Sequence, residues 1–140
     1  MKRNLIGILP LVVMSLMLNA TGAYAQSVVK ADVPFAFRVG SAQLPAGTYK
    51  ISATSDNAIA IGNGRTTALS SVRRESPRNT GSKLVFHHLG SQYFLAEIWR
   101  GADSTGMVIG RSKMEKQLEK ELQLASGRSK VGEDVLIALR

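Results

Sequence analysis

Residues 83–99, KLVFHHLGSQYFLAEIW, decide the fold of this chain. Two runs of strand-forming residues, 83–89 and 92–99, flank Gly90-Ser91, and this pattern predicts a β-hairpin. A two-residue loop and a four-residue loop give the same register. The predicted cross-strand pairs are His88 with Tyr93, Phe86 with Leu95 and Leu84 with Glu97.

This pairing divides the hairpin into two faces, because successive side chains of a strand point to opposite sides. The first face carries Leu84, Phe86, His88, Tyr93, Leu95, Glu97 and Trp99, and the second carries Val85, His87, Leu89, Gln92, Phe94, Ala96 and Ile98. Both faces are largely apolar, so other parts of the chain must cover both of them. We therefore expect the hairpin to form the middle layer of the domain.

The sequence before the hairpin predicts a meander of short strands. Residues 33–39 alternate between apolar and other side chains, and Pro34, which has no N–H group to donate, indicates a sheet edge or the start of a strand. Further strands are predicted at 48–53, 58–61 and 66–72, separated by turn-forming residues at 44–47, 56–57 and 62–64.

The stretch from Arg73 to Ser82 is polar, contains Pro77 and Gly81, and is predicted to be a loop. Basic side chains cluster in and beside it, with only Glu75 opposed to them: Arg73, Arg74, Arg78 and Lys83. Such a cluster is predicted to attract an anionic group, such as a phosphate or an acidic polysaccharide. The alternative interpretation is a solvated, mobile loop without a ligand.

The sequence after the hairpin predicts one helix between two strands, at 107–109 and at 135–139, the second of them buried. Ser112 and Glu115 fit a capping box, so the helix is expected to begin at Lys113, to run to about Ala125 and to end before Gly127. Its apolar stripe should cover the second face of the hairpin, and consists of Met114, Leu118, Leu122 and Ala125.

Together these elements predict a mainly β fold. We expect a small β-sandwich or open barrel of about seven short antiparallel strands, with one C-terminal amphipathic helix packed on it.

The first 25 residues have the features of a cleavable secretory signal peptide, in the required order. Lys2-Arg3 supplies positive charge, residues 5–18 form an apolar run, and Ala23-Tyr24-Ala25 offers a peptidase site after Ala25. A membrane anchor needs roughly 20 apolar residues, whereas this run has 14. Cleavage would leave residues 26–140 as a single β-rich domain, periplasmic or extracellular, with no membrane span.

The composition limits the classes of function. The chain has no cysteine, so disulfides, a cysteine nucleophile and a lipid-bearing cysteine are all excluded. Loss of Lys2 and Arg3 lowers the formal net charge from +8 to +6, and the remaining basic residues are spread along the chain. This charge favours an envelope protein or an anionic polysaccharide as partner rather than nucleic acid. No sequence motif indicates catalysis, a metal or a cofactor.

Two features of the hairpin are candidates for chemistry. His87 and His88 should face opposite sides of one strand, so they cannot ligate one metal ion and are predicted to be core or interface residues. Glu97 lies in an apolar strand on the predicted face of Tyr93 and Trp99, where it could bind a ligand or act as an acid. The alternative is a structural carboxylate, with Arg100 or Arg111 as its partner.

Four segments in combination resemble a group of small exported proteins that are numerous in soil bacteria: VPFAFRVG (33–40), LPAGTY (44–49), KLVFHHLGSQYFLAEIW (83–99) and GRSKMEKQLEKE (110–121). The resemblance spans residues 28–125. It implies an exported β domain, and it assigns neither an activity nor functional residues.

These patterns predict an exported, non-enzymatic envelope or secreted domain that acts by surface interaction. The alternative is a small anion- or carbohydrate-binding module, which rests on the basic cluster and on Tyr93 and Trp99. A hydrolase built around Glu97 is a third interpretation, for which no second carboxylate is suitably placed.

Overall fold

The structure is a computed structural model that describes residues 28–78, 81–101 and 105–140. The predicted signal peptide, residues 1–25, lies outside the described residues. Ten strands and one helix follow one another within them: β1 (Val29–Val33), β2 (Phe37–Val39), β3 (Ala42–Leu44), β4 (Gly47–Ser55), β5 (Ala58–Gly62), β6 (Thr67–Glu75), β7 (Ser82–Leu89), β8 (Gln92–Arg100), β9 (Gly106–Ile109), α1 (Lys113–Ser126) and β10 (Glu133–Ala138).

Strand β8 is the branch point of the sheet. Strand β7 pairs with β8 on one side and with β10 beyond it, while β9 and β2 share the opposite side of β8. From β9 the order continues through β6, β5 and β4 to β1, and β3 pairs with β2. The pairing is antiparallel except between β2 and β8. The sheet is open, although two backbone hydrogen bonds join Lys30 of β1 to Arg140. The predicted mainly β fold with one packed C-terminal helix is confirmed.

The predicted strand over residues 33–39 is in fact two strands. Strand β1 ends at Val33, β2 begins at Phe37, and the two belong to different regions of the sheet. Pro34 accounts for the break, because a proline cannot donate a hydrogen bond to a continuing ladder. Strand β3, which the sequence did not predict, forms a small hairpin with β2.

The β7–β8 hairpin is covered on both sides, as predicted. Its first face contributes to the main core, with Phe86 fully buried at the centre and in edge-to-face contact with Phe35 and Phe37. On the second face, Leu89, Phe94 and other apolar side chains are also buried. The hairpin is therefore the middle layer of the molecule.

The predicted register of this hairpin is wrong beyond Phe86. Leu84 pairs with Ile98 instead of Glu97, because a β-bulge between the Phe86–Leu95 and Val85–Glu97 pairs adds one residue, Ala96, to β8. An added residue reverses the facing of the side chains that follow it. Three residues consequently exchange faces relative to the prediction: Ile98 joins the main core, and Glu97 and Trp99 lie on the second face.

The helix begins and ends as predicted. The Ser112 hydroxyl oxygen accepts a hydrogen bond from the backbone N–H of Glu115, and Gly127 adopts a positive φ of 65° at the C-terminal cap. The predicted apolar stripe is only half right, because Met114 and Ala125 are exposed whereas Leu118 and Leu122 are half-buried. Glu115 faces the sheet instead, since its side chain bonds His87 on β7. In the described part of the chain no helix has the length and apolarity to cross a bilayer.

Two further predictions about strands are wrong. Residues 73–75 belong to β6 rather than to a loop, because β9 supplies hydrogen-bonding partners as far as Glu75. The final strand is not fully buried, since β10 pairs with β7 in the sheet and packs only one of its faces against the core: Val135 and Ile137 are half-buried and Leu136 is exposed.

Candidate functional site

The structure does not gather the four predicted anion-binding residues into one open site. Arg73 and Arg74 are neighbours on β6 and make separate ion pairs, at 2.8 Å to Glu75 and at 3.2 Å to Asp56. Arg78 also approaches Glu75, and its guanidinium carbon lies 5.3 Å from the centre of the Trp99 ring. Lys83 pairs with Trp99 across β7 and β8. An anion at Arg73 or Arg78 would have to compete with Glu75.

Glu97 accepts a hydrogen bond of 2.8 Å from the indole N–H of Trp99. The Trp99 side chain is only 1% exposed, so its ring offers no open surface to a ligand. The prediction that Tyr93 shares a face with Glu97 and Trp99 is wrong, because the bulge leaves Tyr93 on the first face. Tyr93 stacks between Phe35, at 3.9 Å, and His88, at 4.2 Å. Both faces of the Tyr93 ring are therefore occupied. This geometry favours the structural interpretation of Glu97 and gives Trp99 as its partner, whereas Arg111 pairs with Glu119.

Replacing Glu97 tests this structural role. Glu97→Leu should lower the free energy of unfolding by about 1–2 kcal/mol, because it leaves the buried indole N–H of Trp99 without its acceptor. Glu97→Gln keeps an acceptor oxygen and should cost less. Urea denaturation measures both. Equal stability of Glu97→Leu and the unmodified protein would show that the bond contributes nothing.

The two histidines face opposite sides of β7, as predicted. His88 stacks on Tyr93, and its Nδ1 lies 3.3 Å from Glu133. The Nδ1 of His87 lies 2.8 Å from the buried Glu115 carboxylate. The hydrogen bond to Glu115 raises the pKa of His87 despite partial burial of the ring. No group of three or more His, Cys, Asp or Glu side chains within residues 28–78, 81–101 and 105–140 is placed to hold a metal ion.

A cavity of about 290 Å³ lies between α1, β7 and the segment before β10. His87, Glu115, Arg111, Glu119 and Asp134 are among the residues that line it. These charged groups mostly satisfy one another, through the His87–Glu115 and Arg111–Glu119 pairs. The side chains of His87 and Arg111 at this cavity are therefore already paired with carboxylates.

A second cavity of similar size, about 290 Å³, lies where the β2–β3 hairpin meets the start of β8. Of the residues that line it, Arg38 carries a charged side chain, and this residue is half-buried. Its Nε donates to Oε1 of Gln92 at 2.9 Å, and its Nη2 donates to Oε1 of Gln43 at 3.1 Å. Ser91 and Tyr93 also line this cavity, which we call the Arg38 pocket.

The guanidinium of Arg38 keeps its positive charge uncompensated. Both of its acceptors are neutral amides, and no carboxylate of the described ranges lies within ion-pair distance of it. A guanidinium has five N–H donors, so donors remain after these two bonds. The amide oxygens fix the orientation of the group without neutralising it. This arrangement can accept an oxyanion.

Arg38, Gln43 and Gln92 were not predicted to be site residues. Arg38 and Gln92 are 54 positions apart in the chain, and they meet only because β2 pairs with β8. The available signal was weak: a lone arginine in a short alternating strand that follows a proline.

No protein-family model matches the chain, and neither a curated protein nor a solved structure matches it.

Proposed function

We propose that this protein is an exported, non-enzymatic domain that acts through its surface by binding a small oxyanion in the Arg38 pocket. The observation that carries the proposal is the Arg38 guanidinium, which two neutral amides orient and no described carboxylate neutralises. A half-buried charge without a counter-charge is costly, so a ligand that supplies one gains free energy.

The ligand class follows from the donors. Arginine presents planar N–H groups that match the oxygen atoms of carboxylate, phosphate or sulfate groups. The formal net charge, +6 after removal of Lys2 and Arg3 with residues 1–25, favours the approach of anions from solution. Such a group could belong to a free ion or to an acidic polysaccharide, and both present the same chemistry to Arg38.

The geometry is less favourable to recognition of neutral sugars. Neutral sugars bind to proteins largely by stacking on open aromatic rings, but the Trp99 side chain is buried and both faces of Tyr93 are occupied. The interior position of these rings supports the anion-binding alternative over the carbohydrate-binding one. Export rests on the features of residues 1–25 and on the resemblance to small exported proteins.

Thermal denaturation with added anions tests the proposal. The probes are sodium phosphate, sodium sulfate, sodium acetate, sodium glucuronate and polygalacturonate, with glucose as the neutral comparison. An anion at a hundred times its Kd should stabilise the protein by about 2.7 kcal/mol. Response to a free ion indicates a small-ion site, whereas response to polygalacturonate alone indicates a polymer partner.

Substitution of Arg38 then localises the site. Arg38→Gln should weaken binding by about tenfold or more, because a charge-assisted hydrogen bond contributes about 1.5–3 kcal/mol. Arg65→Gln is the matched control, since it removes the same charge from an exposed turn far along the sheet from β2. Isothermal titration measures both affinities. If no probe binds, or if the two variants bind equally, the proposal is wrong.

A further inference from the structure

Helix α1 is held to the sheet by an unusually polar face. Its only fully buried side chain is Glu115, whereas Leu118 and Leu122 are half-buried. Leu122 packs near the hairpin turn at Gly90, and Glu115 reaches His87 one turn from the start of the helix. Because Leu118 and Leu122 are only half-buried, the His87–Glu115 pair has a large share in holding the helix.

The His87 ring is surrounded by charged groups from every element packed around it. Helix α1 supplies Glu115 and Glu119, Arg111 precedes the helix, β10 supplies Glu133 and Asp134, and Lys130 lies in the segment before β10. The Nδ1 of His87 lies 2.8 Å from Glu115, and its Nε2 lies 3.8 Å from Asp134. A neutral imidazole can donate to Glu115 but carries no charge, whereas the imidazolium both donates to Glu115 and attracts the Asp134 carboxylate.

We propose that α1 is a proton-sensitive element, which protonated His87 holds against β7 and which loosens when His87 loses its proton. Loosening would open the cavity beneath the helix and expose Leu89, which lines that cavity and is buried in the closed arrangement. The cavity beneath α1 shares no lining residue with the Arg38 pocket, and the device does not depend on anion binding there.

The sign of the pH dependence follows from the direction of the shift. The hydrogen bond to Glu115 is the largest cause of the raised pKa of His87, and the charges of Glu115 and Asp134 act in the same direction. Burial and the charge of Arg111 oppose it. A histidine with a raised pKa in the folded state stabilises that state fully below its ordinary pKa of 6.5. The contribution is lost as the pH rises through the raised value, so the helix is held more firmly in mild acid.

Amide hydrogen exchange of α1 in the purified protein tests this inference. After correction for intrinsic exchange, protection of α1 should fall as the pH rises above the ordinary histidine pKa of 6.5, by about tenfold for each unit by which folding raises the pKa of His87. His87→Gln, which cannot titrate, should remove the pH dependence. His88→Gln is the matched control on the other face of β7 and should retain it.

A measurement on the unmodified protein guards against a variant that fails to fold. In an NMR titration, the ring signals of His87 and the amide signals of α1 should change with the same midpoint. The proposal is overturned if the α1 amides do not follow the titration of His87, or if His87→Gln and His88→Gln show the same pH dependence of exchange.

Discussion

Replacing Phe86 with alanine is expected to lower the free energy of unfolding by about 3–5 kcal/mol. The Phe86 side chain is fully buried, and its ring contacts those of Phe35 and Phe37 edge-to-face, with centroids 5.2 and 5.3 Å away. Truncation therefore removes apolar burial and leaves a cavity that two fixed rings cannot fill. A loss of this size is a large fraction of the about 5–15 kcal/mol by which domains are stable. Urea denaturation followed by the fluorescence of Trp99, the single tryptophan, measures it.

A matched substitution of an exposed apolar side chain tests whether the loss of stability depends on burial. Leu69 of β6 is 73% exposed, so Leu69→Ala should change the free energy of unfolding by no more than about 0.5 kcal/mol. If Phe86→Ala cost as little as Leu69→Ala, the hairpin could not be the middle layer, and the description of the core would fail with it.

The parts of the fold that sequence reasoning predicted correctly rest on local signals. The apolar pattern of residues 83–99 indicates two covered faces whatever the partners are, because it is a property of the hairpin alone. The limits of α1 are equally local, since Ser112 caps the N–H of Glu115 three positions away and Gly127 takes the left-handed conformation itself.

The parts that were predicted wrongly depend on distant partners. Residues 92–99 are almost continuously apolar, so nothing in the pattern reveals that Ala96 is the added residue of a bulge. Strand β6 extends through a polar stretch because β9, more than thirty positions on, pairs with Arg73 and Arg74. The orientation of α1 about its own axis likewise depends on a distant residue, because Glu115 turns towards His87 on β7. The periodicity of the helix alone cannot show on which side His87 lies.

The candidate site likewise depends on contacts between parts of the chain that are distant in the sequence. Arg73, Arg74 and Arg78 cluster in the sequence, but the structure places Glu75 and Asp56 against them. Arg38 is isolated in the sequence, yet the fold surrounds it with amides rather than carboxylates. Whether a cation remains free to bind a ligand is thus decided by which strands become neighbours, and not by the local density of basic residues.

Replacing Gly106 with alanine is expected to lower the free energy of unfolding by about 3 kcal/mol, at the upper end of the cost of overpacking a core. A β-carbon at Gly106 would lie 2.4 Å from two atoms of the Trp99 ring, Cη2 and Cζ3. The ring cannot easily move away, because its N–H group donates to Glu97 and Arg78 lies over it. The clash must therefore be relieved by displacement of β9 or of the indole, and either displacement weakens the second face of the hairpin.

Gly110 provides the matched control for this substitution. It follows β9 directly, its φ is not positive, and a β-carbon there would have nothing within 4 Å. Gly110→Ala should therefore leave the stability nearly unchanged, within about 0.5 kcal/mol. The Trp99 emission of Gly106→Ala should also shift to the red, because water reaches an indole that is displaced from its buried position. Equal stability and identical emission of the two variants would mean that β9 does not cover Trp99, and that Glu97 and Trp99 lie on an open surface where a ligand could reach them.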